Sequence, residues 1–91
     1  MPRYMVERAF PQGLSIPTDE VGERFVRKIV SNNTTEGVTW VHSYVSADRK
    51  KSFCVYDAPT AEALLAAAEL SALPGGVVTE VSVLDPYFYR G

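Results

Sequence analysis

The sequence predicts an α+β domain with four strands and two helices in the order βαββαβ. Two segments repeat apolar residues at helical spacing, and four shorter segments are rich in β-branched and aromatic residues. Clusters of Pro, Gly, Asn and Asp separate these segments. A chain of 91 residues has room for one such domain, so we assign residues 1–91 to a single domain.

The first half of the chain contains one predicted strand and one predicted helix. The strand is Arg3–Ala9, and Phe10–Gly13 forms the turn that closes it. Thr18 suits a helix N-cap, with Asp19 and Glu20 in the first turn, where the helix dipole favours acidic side chains. This predicted helix is amphipathic and ends at Ser31-Asn32-Asn33. Its apolar stripe consists of Val21, Phe25, Val26, Ile29 and Val30.

The middle of the chain predicts a β-hairpin. Val38–Val45 and Lys51–Tyr56 both alternate β-branched or aromatic residues with others, as strands do. Ser46–Lys50 joins them as a five-residue turn.

The last third predicts a second helix and a fourth strand. The helix opens at Asp57–Thr60, is built largely from Ala and Leu, and continues to about Ala72. Leu73–Gly76 stops it, and Val77–Leu84 is the final strand. An aromatic tail follows, with Tyr87–Tyr89 at its end. Two right-handed crossovers in this order give a four-stranded antiparallel sheet with both helices on one face, the ferredoxin-like arrangement.

The hairpin also predicts which side chains share a face of the sheet. A turn centred near Asp48 pairs His42 with Cys54, and paired residues in antiparallel strands point to the same side. The same register pairs Trp40 with Tyr56, and Tyr44 with Ser52. The set expected under the helices is Val6, Val41, Val45, Phe53, Val55, Val77, Thr79, Val81 and Val83. The set expected on the other face is Met5, Glu7, Trp40, His42, Tyr44, Cys54, Tyr56 and Glu80.

A monomer would expose this aromatic face to water, which soluble monomers rarely tolerate. The same face of a second copy would cover it, so we predict a homodimer of the dimeric α+β barrel type. The cavity between the two sheets would be lined by Met5, Trp40, Tyr44 and Tyr56. The aromatic tail could cross to the partner, or lie on its own chain.

The predicted aromatic face also collects possible metal ligands. His42, Cys54, Glu7 and Glu80 together offer nitrogen, sulfur and oxygen donors, which suit Ni(II), Zn(II) or Cu(II). Two alternatives stay open. His42 could donate a hydrogen bond inside the dimer interface while Cys54 packs as a small buried residue, or His42 could act as an acid or base on a ligand in the cavity.

Composition excludes several classes of partner. The net charge of −2 provides no basic face for nucleic acid. No apolar run approaches the roughly 20 residues of a membrane span. Cys54 is the only cysteine, so no internal disulfide can form, and the N-terminal residues lack the apolar core of a signal peptide. We therefore expect a cytoplasmic protein.

Three stretches of the chain resemble a family of actinobacterial domains of unknown function. They are YMVERAF near the start, WVHSYVSADRKKSFCVYDAPTAEAL at Trp40–Leu64, and VTEVSVLDPYFY at Val78–Tyr89. The resemblance implies a ferredoxin-like homodimer that binds nickel. Nickel-binding members of that family carry further histidines in and after the second helix, whereas EALLAAAELSALPGGVVTEV here contains none. If those histidines are the ligands, this chain has either lost the metal or holds it on the face that carries His42.

The segment SFCVYDAPTAEAL is also similar to the strand-to-helix junction of muconolactone isomerases. This similarity implies an alternative function, the binding or isomerisation of a small molecule, with His42 as acid or base. Tyr44 and Tyr56 would then orient the ligand. The sequence leaves open whether the protein is an enzyme.

Overall fold

The computed structural model of the protein describes residues 1–88. Within this range it contains four strands and two helices in the order βαββαβ, which confirms the predicted α+β, ferredoxin-like fold. The strands are β1 (Arg3–Ala9), β2 (Thr39–Val45), β3 (Lys51–Asp57) and β4 (Gly76–Val81), and the helices are α1 (Glu20–Thr35) and α2 (Ala61–Leu70). A single 3-10 turn, Pro86–Phe88, follows β4, and Tyr89 of the predicted aromatic tail lies outside the described residues.

The four strands form one antiparallel sheet in the order β2-β3-β1-β4, so β1 and β3 are central. Both helices pack on the same side of this sheet, which we call the helix face. The buried core lies between the helix face and α2, and consists of Tyr4, Val6, Val38, Cys54, Tyr56, Ala58, Leu64 and Ala67. The opposite side of the sheet, which we call the open face, has no helix over it.

Helix α1 begins one residue later than the sequence predicts. Its N-cap is Asp19 rather than Thr18, and the Asp19 carboxylate accepts hydrogen bonds from the backbone N–H groups of Val21 (3.0 Å) and Gly22 (3.2 Å). An aspartate at this position satisfies two donors that have no partner inside the helix and also interacts favourably with the helix dipole.

The same helix continues beyond the predicted end at Ser31-Asn32-Asn33. The hydroxyls of Thr34 and Thr35 donate to the carbonyl oxygens one turn earlier, at 2.9 and 3.1 Å, so these polar residues remain helical. The last helical residue is Thr35. Gly37, two residues later, has a φ of +71°, a left-handed conformation that glycine adopts without a steric cost and that turns the chain away from the helix.

The predicted apolar stripe of α1 is only partly buried. Ile29 is buried with Gly22 and Asn33, whereas Val21, Phe25 and Val30 are exposed. A Cβ atom at Gly22 would overlap the carbonyl oxygen of Pro17, so this close approach requires glycine. Helix α1 is therefore held against the preceding loop as well as against the sheet.

Helix α2 agrees with its prediction at the start and is shorter at its end. The Thr60 hydroxyl caps it by accepting from the backbone N–H of Ala63 at 3.1 Å. The helix ends at Leu70, and Ala72 already adopts a positive φ of 53°. The final strand is shorter too, because β4 ends at Val81 instead of Leu84.

The predicted register of the hairpin is wrong beyond its first pair. Trp40 does pair with Tyr56, but the register shifts between Trp40 and His42, where β2 contains a bulge. His42 then pairs with Val55 instead of Cys54, and Tyr44 pairs with Phe53. One extra residue in a strand changes the partner of every residue that follows it. An alternating pattern read without the bulge cannot place both halves of β2 correctly.

The predicted assignment of side chains to the two faces is also wrong for β3 and β4. Cys54 and Tyr56 belong to the core on the helix face, so the alternate residues Phe53 and Val55 point to the open face. Val78 packs against the core, so its neighbours Val77 and Thr79 point the other way. The physical reason is that these strands are apolar on both sides, and hydrophobicity alone does not distinguish their faces.

No helix within residues 1–88 has the length and the apolar character that crossing a bilayer requires.

A matched pair of leucines on α2 tests the position of the core. Leu64 is 1% exposed and Leu65 is 55% exposed. Leu64→Ala should lower the free energy of unfolding by about 2–5 kcal/mol, because it leaves a cavity in the core. Leu65→Ala should lower it by less than about 1 kcal/mol. Urea unfolding followed by circular dichroism measures both, and equal losses would contradict this packing.

Candidate functional site

The open face is apolar in its centre and largely polar around it. Its central pair, Phe53 and Val55 on β3, is flanked by Met5 on β1. The strand registers place fourteen side chains there: Arg3, Met5, Glu7, Ala9, Thr39, His42, Tyr44, Lys51, Phe53, Val55, Asp57, Val77, Thr79 and Val81.

His42 is the only histidine of the chain, and its side chain is exposed on the open face. Its ring meets the ring of Tyr44 edge to face, with 5.1 Å between the ring centroids and an angle of 84° between the planes. An exposed imidazole is free to bind a metal ion or to donate a hydrogen bond to a partner. The neighbouring Tyr44 ring restricts the directions from which such a partner can approach.

The four predicted metal ligands do not come together in one chain. His42 and Glu7 share the open face, but β3 lies between their strands and they occupy different rows, which separates their Cα atoms by about 12 Å. Cys54 is 7% exposed and belongs to the core on the helix face. Glu80 pairs with Tyr4, which places it on the helix side of β4. The four predicted ligands therefore do not form one site within a single chain. The bulge in β2 moves His42 away from Cys54, and Glu80 lies on the helix side of β4.

No three His, Cys, Asp or Glu side chains among residues 1–88 are grouped closely enough to hold a metal ion. The remaining carboxylate of the open face, Asp57, is occupied by Arg3, and Glu7 lies 3.8 Å from the amine of Lys51. The donors of a single chain thus do not fit a complete nickel centre. A nickel ion on the open face would need further donors besides these side chains.

Arg3 and Asp57 form a two-point ion pair at one end of the open face. The guanidinium donates from Nε to Oδ1 at 2.8 Å and from Nη2 to Oδ2 at 3.1 Å. The hydrogen bond and the charge of Arg3 lower the pKa of the Asp57 carboxyl, and the same contacts raise the pKa of Arg3. This pair joins the two central strands, since Arg3 lies on β1 and Asp57 on β3.

The predicted cavity residues divide between the two faces. Trp40 and Tyr56 do line a cavity, of about 120 Å³, but it lies on the helix face beneath α1. Tyr44 and Met5 point to the open face and do not line it. His42 does not line it either, so a single chain provides no cavity in which His42 could act as an acid or base on a ligand held by Trp40 and Tyr56.

Arg8, a polar residue on the helix face, was not predicted from the sequence to be part of a site. It is 3% exposed, although it carries a charge. Its Nη1 donates to the Tyr56 hydroxyl at 3.0 Å, and its Nε donates to the carbonyl oxygen of Pro74 at 3.1 Å. The signal that could have revealed it is alternation, because Tyr4, Val6 and Arg8 share one side of β1.

Comparisons with known proteins identify one family and one solved structure. A family model described as "Nickel responsive protein SCO4226-like" matches residues 4–81. The crystal structure of SCO4226 from Streptomyces coelicolor A3(2) superposes with a TM-score of 0.73 over 91% of this chain and 99% of that chain, at 14% sequence identity. At this identity the structural similarity shows the fold alone. No curated protein matches the chain.

The Arg3–Asp57 pair predicts a specific pH dependence of stability. Because the folded state lowers the pKa of Asp57, the pair stabilises the protein above the ordinary aspartate pKa of about 3.9, and this contribution disappears as the pH falls through the lower, folded value. Asp57→Asn should therefore lower the melting temperature at pH 7 and have progressively less effect as the pH falls below about 3.9.

An Arg3→Met background provides the control for this measurement. In that background the Asp57→Asn substitution should lose most of its pH-dependent effect, because the charge that lowers the pKa has been removed. An unchanged pH-dependent effect there would show that another group is responsible.

Proposed function

The chain belongs to the SCO4226-like family of nickel responsive proteins, and we propose that it is a nickel-binding homodimer whose two open faces meet. The metal ion binds between the two copies, with His42 of each as a ligand. The observation that carries this proposal is the exposed imidazole of His42, which lies on the open face beside its apolar centre.

The apolar character of the open face supports the dimer. Val77 is 66% exposed and Tyr44 is 60% exposed, and between them lie the half-buried Phe53 and the central Val55, which is 6% exposed. Large apolar side chains exposed on both sides of one face are typical of an interaction site. A two-fold axis brings identical faces together, and a stable interface buries roughly 800 Å² of each partner.

The scarcity of donors in one chain supports a site shared by two. One open face presents one imidazole and the carboxylate of Glu7, and the Cα atoms of His42 and Glu7 lie about 12 Å apart. Two facing copies double this supply to two imidazoles and two such carboxylates. Imidazole nitrogen and carboxylate oxygen are ligands that Ni(II) accepts. Cys54 has no part in this site, because its thiol is buried on the other side of the sheet.

The cavity on the helix face does not favour the alternative of an isomerase that uses His42. The imidazole and the cavity lie on opposite sides of the sheet, and β2 itself separates them. The cavity within one chain therefore does not serve an isomerase that uses His42, and the family match favours metal binding.

The dimer is tested by placing a charge on the open face. The parent protein should sediment as a dimer at micromolar concentration, and Val77→Asp should sediment as a monomer, because two carboxylates would be buried in the interface. Leu65→Asp is the matched control, since Leu65 is also exposed but lies on α2, away from the open face. A monomeric parent, or a dimer that survives Val77→Asp, would contradict the proposal.

Nickel binding is tested by calorimetry on protein without a histidine tag. The parent should bind one Ni(II) per two chains, and binding should be weaker in acid, because a protonated imidazole does not coordinate a metal. His42→Ala should weaken binding by about 100-fold or more.

Two control variants distinguish this site from others. Cys54→Ser should bind Ni(II) as the parent does, because Cys54 is on the helix face. Glu7→Gln should weaken binding less than His42→Ala does. Equal affinity of His42→Ala and the parent would exclude the open face as the nickel site.

A further inference from the structure

The sheet has two edge strands, β2 and β4, and they differ in how well they are protected against pairing with another strand. β2 contains the bulge between Trp40 and His42, and a bulge twists an edge away from further partners. β4 pairs with β1 in an uninterrupted register over Gly76–Val81, and this segment contains neither proline nor lysine. Within residues 1–88, no strand pairs with the outer side of β4. Its outward backbone groups therefore form a template for one more strand.

β4 is complementary to itself in one antiparallel register. A two-fold axis perpendicular to the sheet places a second β4 antiparallel to the first and keeps both open faces on the same side. With the axis at Thr79, Val77 of each copy lies opposite Val81 of the other, and the two Thr79 side chains lie opposite each other. Pairs of this kind stabilise antiparallel sheets. Moving the axis to Val78 would lose the valine pairs.

The charge of Glu80 excludes the register on the other side. An axis at Glu80 would place two carboxylates directly opposite each other, which is destabilising. With the axis at Thr79, Glu80 lies opposite Val78 of the second copy instead. Val83, which is 69% exposed, then lies opposite Gly75. No atom beyond the flanking residues lies within 4 Å of the position where a Gly75 side chain would begin, so this valine has room.

We propose that two copies of this chain pair along β4 in this register, so that two four-stranded sheets become one continuous sheet. This contact is separate from the proposed dimer, because it uses the edge of the sheet and leaves the open face uncovered. A strand of six residues buries less surface than a standard interface, so the pairing forms at concentrations well above micromolar. It therefore joins open-face dimers into larger assemblies.

Isotope-filtered NMR on a mixture of ¹³C-labelled and unlabelled full-length chains locates the contact. Nuclear Overhauser contacts should connect the Val77 methyls of one copy with the Val81 methyls of another. Within one copy these residues lie about 13 Å apart along the strand, which is too far for such a contact. The Val78 methyls should likewise contact the Glu80 side chain of another copy.

The second contact distinguishes edge pairing from the open-face dimer, because Val78 and Glu80 lie on the helix side of β4. Contacts between copies on both sides of β4 support the proposal. Contacts on the open face alone would overturn the edge pairing and leave the open-face dimer intact. The absence of any contact between copies at β4 would also overturn it.

Charged variants at Thr79 test the register, with sedimentation as the measurement. Thr79→Lys and Thr79→Glu each place like charges opposite each other, so each alone should weaken the association beyond the dimer about fivefold. An equal mixture of the two should restore that association, because a lysine then lies opposite a glutamate. The same two substitutions at Thr39 are the matched control and should leave it unchanged, since Thr39 is an exposed threonine of the open face on the other edge strand. A mixture of the Thr79 variants that associates no better than either variant alone would contradict an axis at Thr79.

Discussion

A four-stranded sheet with both helices on one side has a second side that the same helices cannot cover. In this chain that constraint is severe, because the central strand β3 is apolar on both sides. Cys54 and Tyr56 point into the core, and Phe53 and Val55 point away from it. Each square ångström of apolar surface left in water forgoes roughly 25 cal/mol, so the open face favours association. The proposed dimer follows from this imbalance, and so does the proposal of a metal site shared by two copies.

The order of the elements could be predicted from the sequence, because it depends on local signals. The alternation of Arg3–Ala9, the hairpin turn near Asp48 and the capping residue Thr60 all act within a few residues, and the structure retains each of them. The ends of the helices were less predictable. At the C-terminal end of α1, Thr34 and Thr35 keep the helix intact by hydrogen bonds to its own backbone, which composition alone does not reveal.

The candidate site was harder to predict than the fold, because it depends on register. A bulge in β2 changes the partner of every later residue, and a shift by one residue moves side chains to the other face. For this reason His42 and Cys54, expected side by side, lie on opposite sides of the sheet. Arg8 was missed for a different reason. Arginine is rarely buried, so a charged residue in an alternating strand is normally assigned to the solvent side.

We propose that nickel binds at the open face and not on the helix side of the sheet. Methyl NMR spectra during a Ni(II) titration test it most directly, because methyl groups on the two sides of the sheet report separately. We expect the methyl signals of Val55, which lies on the open face, to change position or linewidth first. The methyl signals of Val6 and Leu64, which lie in the core, should change little. Changes centred on Val6 and Leu64, with Val55 unaffected, would contradict it.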